Sequence, residues 1–471
     1  MNLFPMFDVG AAWRWGSLVP PIMAATYASP AVVAQLAGLR CRDLIHHARA
    51  KSRFYAKRFR HLPFDAALTQ YPSVSRAELM EHFDDWVTDP DIRLADVNAF
   101  IADPSRCGEA FLGRYAVWTS SGTTGVPGVY VSDPDALAIH EALLTTRTAG
   151  SGSAASLWRL MVGGGRLALI AAQDGHFAGI TTWERARRSA PWLESRCRAF
   201  PVTARIGELV AGLNDWQPAL LASYPSMLSV MADEQEAGRL TIKPVALWSG
   251  GEELPRIERE RLSQSFACPV HEEYAASECM NIAFSCGAGS LHLHADWVTL
   301  EPVDERGRVL PPGRPSASTL LTNLANHVQP LIRYQLGDSI TFLADPCECG
   351  CPLPRLRVEG RKDDVLKLPA AHGMTVTIVP LAIESVLEDR AGIHQFQLRQ
   401  SGPHGLTVRF NPPAGLTQHD AWPRVEHCLR EFLDHQGARS TGILLDPAPP
   451  QVDPVSGKLR RIRGAGVTLR A

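Results

Sequence analysis

An α/β protein of two domains is what this sequence predicts, and three observations predict it. Short apolar runs alternate with helix-like segments, glycine or serine turns separate them, and the chain changes character near Gly360. Clear runs are LALIAA between Arg166 and Gln173, LLASY between Ala219 and Pro225, and ALW between Val245 and Ser249. Apolar runs of this length bounded by turn residues read as buried strands. Their alternation with helical stretches is the pattern of helices covering mainly parallel strands.

The elements follow in chain order. The N-terminal 25 residues mix Asp8, Arg14 and several prolines into apolar sequence, which is not the basic-then-apolar order of a signal peptide. Residues 29–60 read as helical: Ser29 and Pro30 give a cap and a first-turn proline, and Val33, Leu36, Leu39 and Leu44 recur near helical spacing. A second helix starts at Ser75, where Ser75 and Glu78 form a capping-box pattern ahead of Leu79 and Phe83. The strand and helix alternation then runs to Gly360. Beyond it come two helix-like segments, 379–390 and 422–436, in a stretch long enough for a small domain of its own. The domains are therefore expected at 1–360 and 361–471, with the boundary at 360–364.

Composition narrows the function classes. With 45% hydrophobic and 20% charged residues the chain is of ordinary globular type. A net charge of -2 provides no global field for nucleic acid. No run reaches the ~20 apolar residues of a membrane helix, so no membrane partner is expected. Ten cysteines in 471 residues are too few for a disulfide scaffold and fit reduced thiols in a cytoplasmic protein. Five of them, Cys279, Cys286, Cys347, Cys349 and Cys351, crowd into one region.

Four constellations carry chemistry. After the strand-like stretch 114–119 comes a loop from Ser120 to Gly128 with the order SSGTTGVPG. Gly122 and Gly125 let backbone N–H groups converge, and the hydroxyls of Ser120, Ser121, Thr123 and Thr124 add donors for phosphate oxygens. The lysine and spacing of a Walker loop are missing, which sets P-loop NTPases aside. Tyr274 stands four residues before Glu278 in the order YAASE, pairing a ring that can stack on a base with a carboxylate suited to Mg²⁺. Asp338 ends the run RYQLGD, and one carboxylate can accept from two adjacent hydroxyls. Near the C-terminus, Lys458 follows Gly457 in a basic segment; an ammonium there suits an attack by one anion on another.

Taken together, these motifs resemble the adenylate-forming enzymes, and within them the phenylacetate-CoA ligase-like branch, which lacks the lysine that other members carry after the loop proline; Gly128 fits that absence. The resemblance runs from the helix at 33 to Lys458. It implies a large N-terminal adenylate-forming domain and a small mobile α+β C-terminal domain with the active site between them. It implies that Ser120, Ser121, Gly122, Thr123, Thr124, Gly125, Gly251, Tyr274, Ser277, Asp338 and Arg361 bind ATP or AMP, Tyr274 under the adenine and Asp338 on the ribose. Glu278 would hold Mg²⁺, Asp363 would be the hinge, and Lys458, Glu278 and Thr124 would form the catalytic set.

A further expectation is structural zinc. Cys286, His292 six residues later, and the distant pair Cys347 and Cys349 supply four ligands for closed tetrahedral zinc. Relatives of phenylacetate-CoA ligase have a similar Cys…His…CxC arrangement. Cys351 stands where that pattern has arginine and is an alternative to Cys347 or His292, and His294 is another.

The implied reaction is ATP-dependent conversion of a carboxylic acid to an acyl-adenylate and then a thioester. The small residues Gly250, Ala275 and Ala276 near Tyr224 and Trp248 favour an aromatic acid. The segment 368–380 lacks the asparagine of the family's pantetheine-tunnel loop and spaces its glycine and proline further apart. Adenylation is therefore read more directly than coenzyme A as acceptor; a carrier-protein phosphopantetheine or an amine are the alternatives, and an inactive nucleotide-binding scaffold is the third reading. A homodimer is the commonest assembly to expect.

Overall fold

A computed structural model describes residues 9–120, 128–148, 165–359, 365–370, 374–413, 415–451 and 461–464. Its centre is a nine-stranded sheet in the spatial order Ser339–Leu343, Arg355–Glu359, Leu291–Leu293, Cys279–Ser285, Val270–Ala276, Ala246–Gly250, Leu220–Ser223, Leu167–Ala171 and Cys197–Pro201. The last five of these are parallel, and they include the three runs that suggested strands. The first five pair antiparallel, so the sheet is mixed rather than mainly parallel. Alternation along the parallel strands sorts their side chains. Ile170, Leu221 and Leu247 pack with Met227 and Met231 of helix Pro225–Glu236, whereas Leu167, Leu220 and Ala246 pack with Ile180 and Trp183 of helix Ala178–Ser189.

This two-sided covering creates a crevice. Leu167–Ala171 connects outward through Ala178–Ser189 to the edge strand, while its neighbour Leu220–Ser223 connects the other way through Pro225–Glu236 to Ala246–Gly250. Outgoing connections that diverge leave a gap beyond the carboxyl ends of the strands, the usual ligand position in an open α/β sheet.

Two smaller sheets pack with the antiparallel strands of the large one: Ala116–Thr119 with Val129–Ser132, and Val298–Val303, Ser318–Asn323 and Leu331–Gln335. Residues after 365 build a hairpin, Leu366–Pro369 with Thr375–Ile378, and a four-stranded sheet ordered Gly442–Leu445, Gly405–Phe410, Phe396–Gln400 and Ile462–Arg463, backed by helix Gln418–Gln436. Among the described residues that sheet takes no strand from before 365. The expected boundary at 360–364 lies outside the described residues.

Several local expectations shift by a few residues. The helix expected at 29–60 divides at Ser52, which ends Pro30–Lys51 and caps Arg53–Arg58 by accepting from the Tyr55 N–H at 3.3 Å. Ser75 caps Arg76–Glu81, but Glu78 turns to Arg58 instead of completing the reciprocal box. The 379–390 segment is an α-helix, Pro380–Ser385, that widens into a π-turn over Val386–Arg390. The 422–436 helix starts earlier, at Gln418, because Thr417 and Asp420 form a full capping box. A helix over Val9–Thr26 was not anticipated, since Pro20 and Pro21 stand inside it. Among the described residues no helix is long and apolar enough to cross a membrane.

Candidate active site

The crevice opens into a cleft of about 1900 Å³ lined by Ser120, Gly251, Tyr274, Ser277, Glu278 and Asp338. Five of the expected ATP- or AMP-binding residues and the expected Mg²⁺ ligand Glu278 therefore line one cleft, although they come from segments up to 218 residues apart in the chain. Ser121, Gly122, Thr123, Thr124 and Gly125 lie outside the described residues, as do Arg361, Asp363 and Lys458.

Both ends of the glycine loop are fixed. The Gly128 N–H donates to the Ser120 hydroxyl at 2.9 Å, and the Ser120 N–H donates to the Gly128 carbonyl at 2.9 Å. Ser120 thus closes the base of the loop. Gly128 has a steric reason of its own: a Cβ there would stand 2.4 Å from the Tyr130 hydroxyl.

Strand Val270–Ala276 delivers the aromatic ring. The Tyr274 hydroxyl donates to Asp338 Oδ2 at 2.8 Å. Burial and then the Asp338 charge push the Tyr274 phenol well above its ordinary range, so it remains a donor. Gly251 holds φ +84° beside the Tyr224 ring, where a Cβ would approach to 3.0 Å. A side chain at 251 would be both strained and crowded.

Glu278 sits at the most strongly bonded point of the cleft. Its Oε1 accepts from Arg76 at 2.8 Å, from the Tyr130 hydroxyl at 2.9 Å and from the Tyr334 hydroxyl at 2.7 Å. The carboxylate side chain is 4% exposed and that of Arg76 14%. Among the described residues these three side-chain bonds all end on one oxygen, Oε1. Burial and the Glu278 charge raise both tyrosines, which keeps them protonated donors. Arg76, Tyr130 and Tyr334 were not anticipated as site residues. Tyr334 stood inside the RYQLGD run, and its place next to a motif arginine was the available signal. That arginine, Arg333, is buried instead in a pair with Glu301 at 2.9 Å and bonds to the Thr69 and Tyr71 carbonyls.

The C-terminal segment resumes at Arg461, three residues past Lys458. Its guanidinium pairs with Glu388 at 2.6 Å and Glu384 at 3.1 Å and donates to the His394 carbonyl at 3.0 Å, and the side chain is 1% exposed. Glu384 and Glu388 also line the cleft. Next to them, the Asp389 carboxyl buries Oδ2 without a partner among the described residues. Burial first, then Glu388 and Asp174, push it up from 3.8 to about 8. A raised carboxyl binds a proton on folding, so its favourable contribution is complete below about pH 4 and is lost as pH rises through about 8. Asp389→Asn is expected to flatten the fall in thermal stability across that window, and melting curves from pH 5 to 9 check it; parallel curves for both proteins would refute the assignment.

A second cluster lies along the same wall. Cys286, His292, Cys347 and Cys349 place one ligand atom each within 4.8 Å of one another. The Gly289 N–H returns to the Cys286 carbonyl at 2.9 Å, folding a hairpin that faces Cys286 toward His292, and the Gly350 N–H closes a turn on the Cys347 carbonyl at 3.0 Å. The Cys286 and Cys347 sulfurs are 3.7 Å apart, and Cys349 Sγ is 3.4 Å from His292 Nε2. Tetrahedral bonds of ~2.3 Å to sulfur and ~2.0 Å to nitrogen give edges of about 3.5–3.8 Å, and these two contacts match them. His292 Nδ1 donates to the Leu353 carbonyl at 2.9 Å, which leaves Nε2 as the ligand atom. Cys351 also bonds to the His292 side chain, with its thiol 3.8 Å from the Thr26 carbonyl, and His294 faces Arg147. Cys279 is a buried thiol held 3.7 Å from the Asn281 carbonyl.

No known family model matches the chain. Its structure is similar to that of 2-hydroxyisobutyryl-CoA ligase solved with 2-HIB-AMP and CoA in the thioesterification state, with 20% sequence identity, a TM-score of 0.55, and coverage of 93% of this chain and 91% of that one. The open conformation of the same ligase matches with 18% identity, a TM-score of 0.51 and coverage of 93% of each chain. In sequence, 130 residues are 25% identical to protein CapK of Staphylococcus aureus, a stretch that spans 27% of this chain and 27% of that protein. At these identities the shared property is the fold, which this chain has in common with 2-hydroxyisobutyryl-CoA ligase.

Proposed function

We propose that this adenylate-forming fold activates a small carboxylic acid with ATP, releasing pyrophosphate, and then passes the acyl group to the thiol of coenzyme A. The observation that carries the reading is the meeting of Tyr274, Glu278 and Asp338 at one cleft beyond the carboxyl ends of the parallel strands. Fold alone would not select a chemistry; these side chains support this one. The Tyr274 ring offers a platform for adenine, and Asp338 an acceptor for the ribose hydroxyls. Glu278 Oε2 would hold Mg²⁺, which supplies charge neutralisation for the phosphates when bound. Arg76 and the two tyrosines fix that carboxylate by occupying Oε1.

In the first step a substrate carboxylate oxygen attacks the α-phosphorus and pyrophosphate leaves. In the second the thiol sulfur attacks the acyl carbonyl, loses its proton, and AMP leaves. Lys458 stabilises the charge that gathers in the first step. The anchoring of Arg461, three residues further along the chain, in the cleft wall supports this role. Asp363 is the hinge about which residues 361–471 rotate between the two steps. An aromatic acid is favoured by the room beside Gly250 and Ala275. The reading carries a cytoplasmic location, where ATP, coenzyme A and reduced thiols coexist.

Pyrophosphate release from ATP and Mg²⁺ over a panel of aromatic and aliphatic acids, each with and without coenzyme A, tests this. Release that needs one class of acid, and multiple turnovers that need coenzyme A, are expected. Acid-stimulated release indifferent to coenzyme A would move the acceptor to a carrier protein or an amine; no release with any acid would leave a scaffold.

The Cys286, His292, Cys347 and Cys349 set would hold zinc with all four positions filled, leaving no place for a reacting water, so its role is structural. The purified protein is expected to carry about one zinc per chain. Cys347→Ser is expected to lose that zinc and lower the melting temperature while the other buried thiols stay unreactive. Metal analysis with melting curves checks it, and a metal-free wild type of unchanged stability would contradict it.

A further inference from the structure

The acid end of the cleft contains a carboxyl that the reaction above does not use. Strand Val270–Ala276 pairs in parallel with Ala246–Gly250, setting Trp248 beside His271 and Gly250 beside Glu273. Residues paired in register share a sheet face, so Glu273 projects on the side of Trp248, which is also the side of Ala222 and Leu169. Leu144 covers that face, packing with Ala222 and Trp248 into a small apolar cluster. All of these residues line the cleft.

Glu273 therefore ends in an apolar recess. The Trp248 indole hydrogen-bonds to its carboxyl, but Oε1 is buried with no partner among the described residues. Burial raises the group from 4.5 to about 8. A buried carboxyl oxygen without a partner is costly, and Gly250 and Ala275 on either side bring no side chain that could relieve it. His140 forms another part of the wall. Its Nδ1 pairs with the Asn281 side chain, and burial lowers the imidazole to about 4, so it stays neutral and brings no positive charge to offset Glu273.

We infer that Glu273 is a specificity-determining residue, accepting a hydrogen bond from a hydroxyl or amino group on the body of the acid substrate and so favouring acids that carry such a donor. This rests on the adenylation reading. The physical reason is the asymmetry of buried hydrogen bonds: a substrate donor satisfies Oε1, whereas an unsubstituted acid covers it and leaves it unpaired. Hydroxyl and amino donors share this chemistry, and matched substrates separate them.

The test uses the full-length protein and matched acids differing only in one group: benzoate with its ring-hydroxy and ring-amino derivatives, and isobutyrate with its 2-hydroxy and 2-amino derivatives. The readout is kcat/KM for acid-dependent pyrophosphate release. The wild type is expected to prefer a donor-bearing acid over its unsubstituted partner at least ~10-fold. Glu273→Leu is expected to bring that ratio close to one, and Glu273→Gln, which keeps an acceptor, to hold most of it. Melting curves of both variants report folding, and the leucine variant is expected to melt no lower than wild type because it removes an unpaired buried carboxyl. Equal rates for all matched pairs in the wild type, or a preference that survives Glu273→Leu, would overturn this inference and leave adenylation intact. Release with no acid at all would overturn adenylation, and this inference with it.

Discussion

Lys458→Ala is expected to slow acid-dependent pyrophosphate release by ~10²- to 10³-fold, the usual loss when one group that stabilises developing charge is removed. The reacting partners are both anionic, so the barrier is dominated by charge brought together in a site that excludes water. ATP binding should survive, because adenine, ribose and Mg²⁺ are assigned to other residues, Tyr274, Asp338 and Glu278. The loss should appear in kcat with little change in the KM for ATP. Lys458→Arg should recover little, since a planar guanidinium cannot take the place of a compact ammonium. Equilibrium binding of ATP alongside single-turnover pyrophosphate release separates the two effects. Unchanged release would remove Lys458 from the mechanism, and a loss of ATP binding equal to the loss of rate would reduce it to a ground-state contact.

Glu278→Ala is expected to have the largest effect on stability, about 3–5 kcal/mol, the range for breaking a buried ion pair from one side. The change strands the Arg76 guanidinium, and it removes the acceptor shared by the Tyr130 and Tyr334 hydroxyls. Activity should be lost as well, and that alone would be ambiguous. The double variant Glu278→Leu with Arg76→Met resolves it. Replacing both charges with apolar groups should recover most of the stability, and it should recover no adenylation if Oε2 holds the metal. Denaturant unfolding with parallel activity assays gives both readouts. A stable, fully active double variant would show that the pair is only structural.

What the sequence revealed, and what it hid, has a physical pattern. The parallel strands were legible because a strand buried on both faces is a continuous apolar run, as in LALIAA. The antiparallel half of the sheet, from Cys279–Ser285 outward, was not, because its strands carry polar residues such as His292, whose burial depends on partners far along the chain. The cysteine cluster was legible as a set, since Cys286, His292, Cys347 and Cys349 are the residue types zinc takes. The place of Cys351 was not, because it depends on where the segment after the Gly350 turn meets His292. The grip on Glu278 was the least readable feature: Arg76 lies 202 residues away from it, and nothing local marks an arginine after a helix cap as the partner of a distant carboxylate. The helix Val9–Thr26 was hidden by its own prolines.

The central claim is that a substrate carboxylate attacks the α-phosphorus of ATP. Its most direct test is the fate of the carboxylate oxygens. An acid labelled with ¹⁸O in both carboxylate positions, turned over with ATP and coenzyme A, should deliver one labelled oxygen to the phosphate of AMP, with unlabelled pyrophosphate as the other product. Label in inorganic phosphate together with ADP would mean an acyl-phosphate route through the γ-phosphorus, and it would contradict the assignment of this cleft to adenylation.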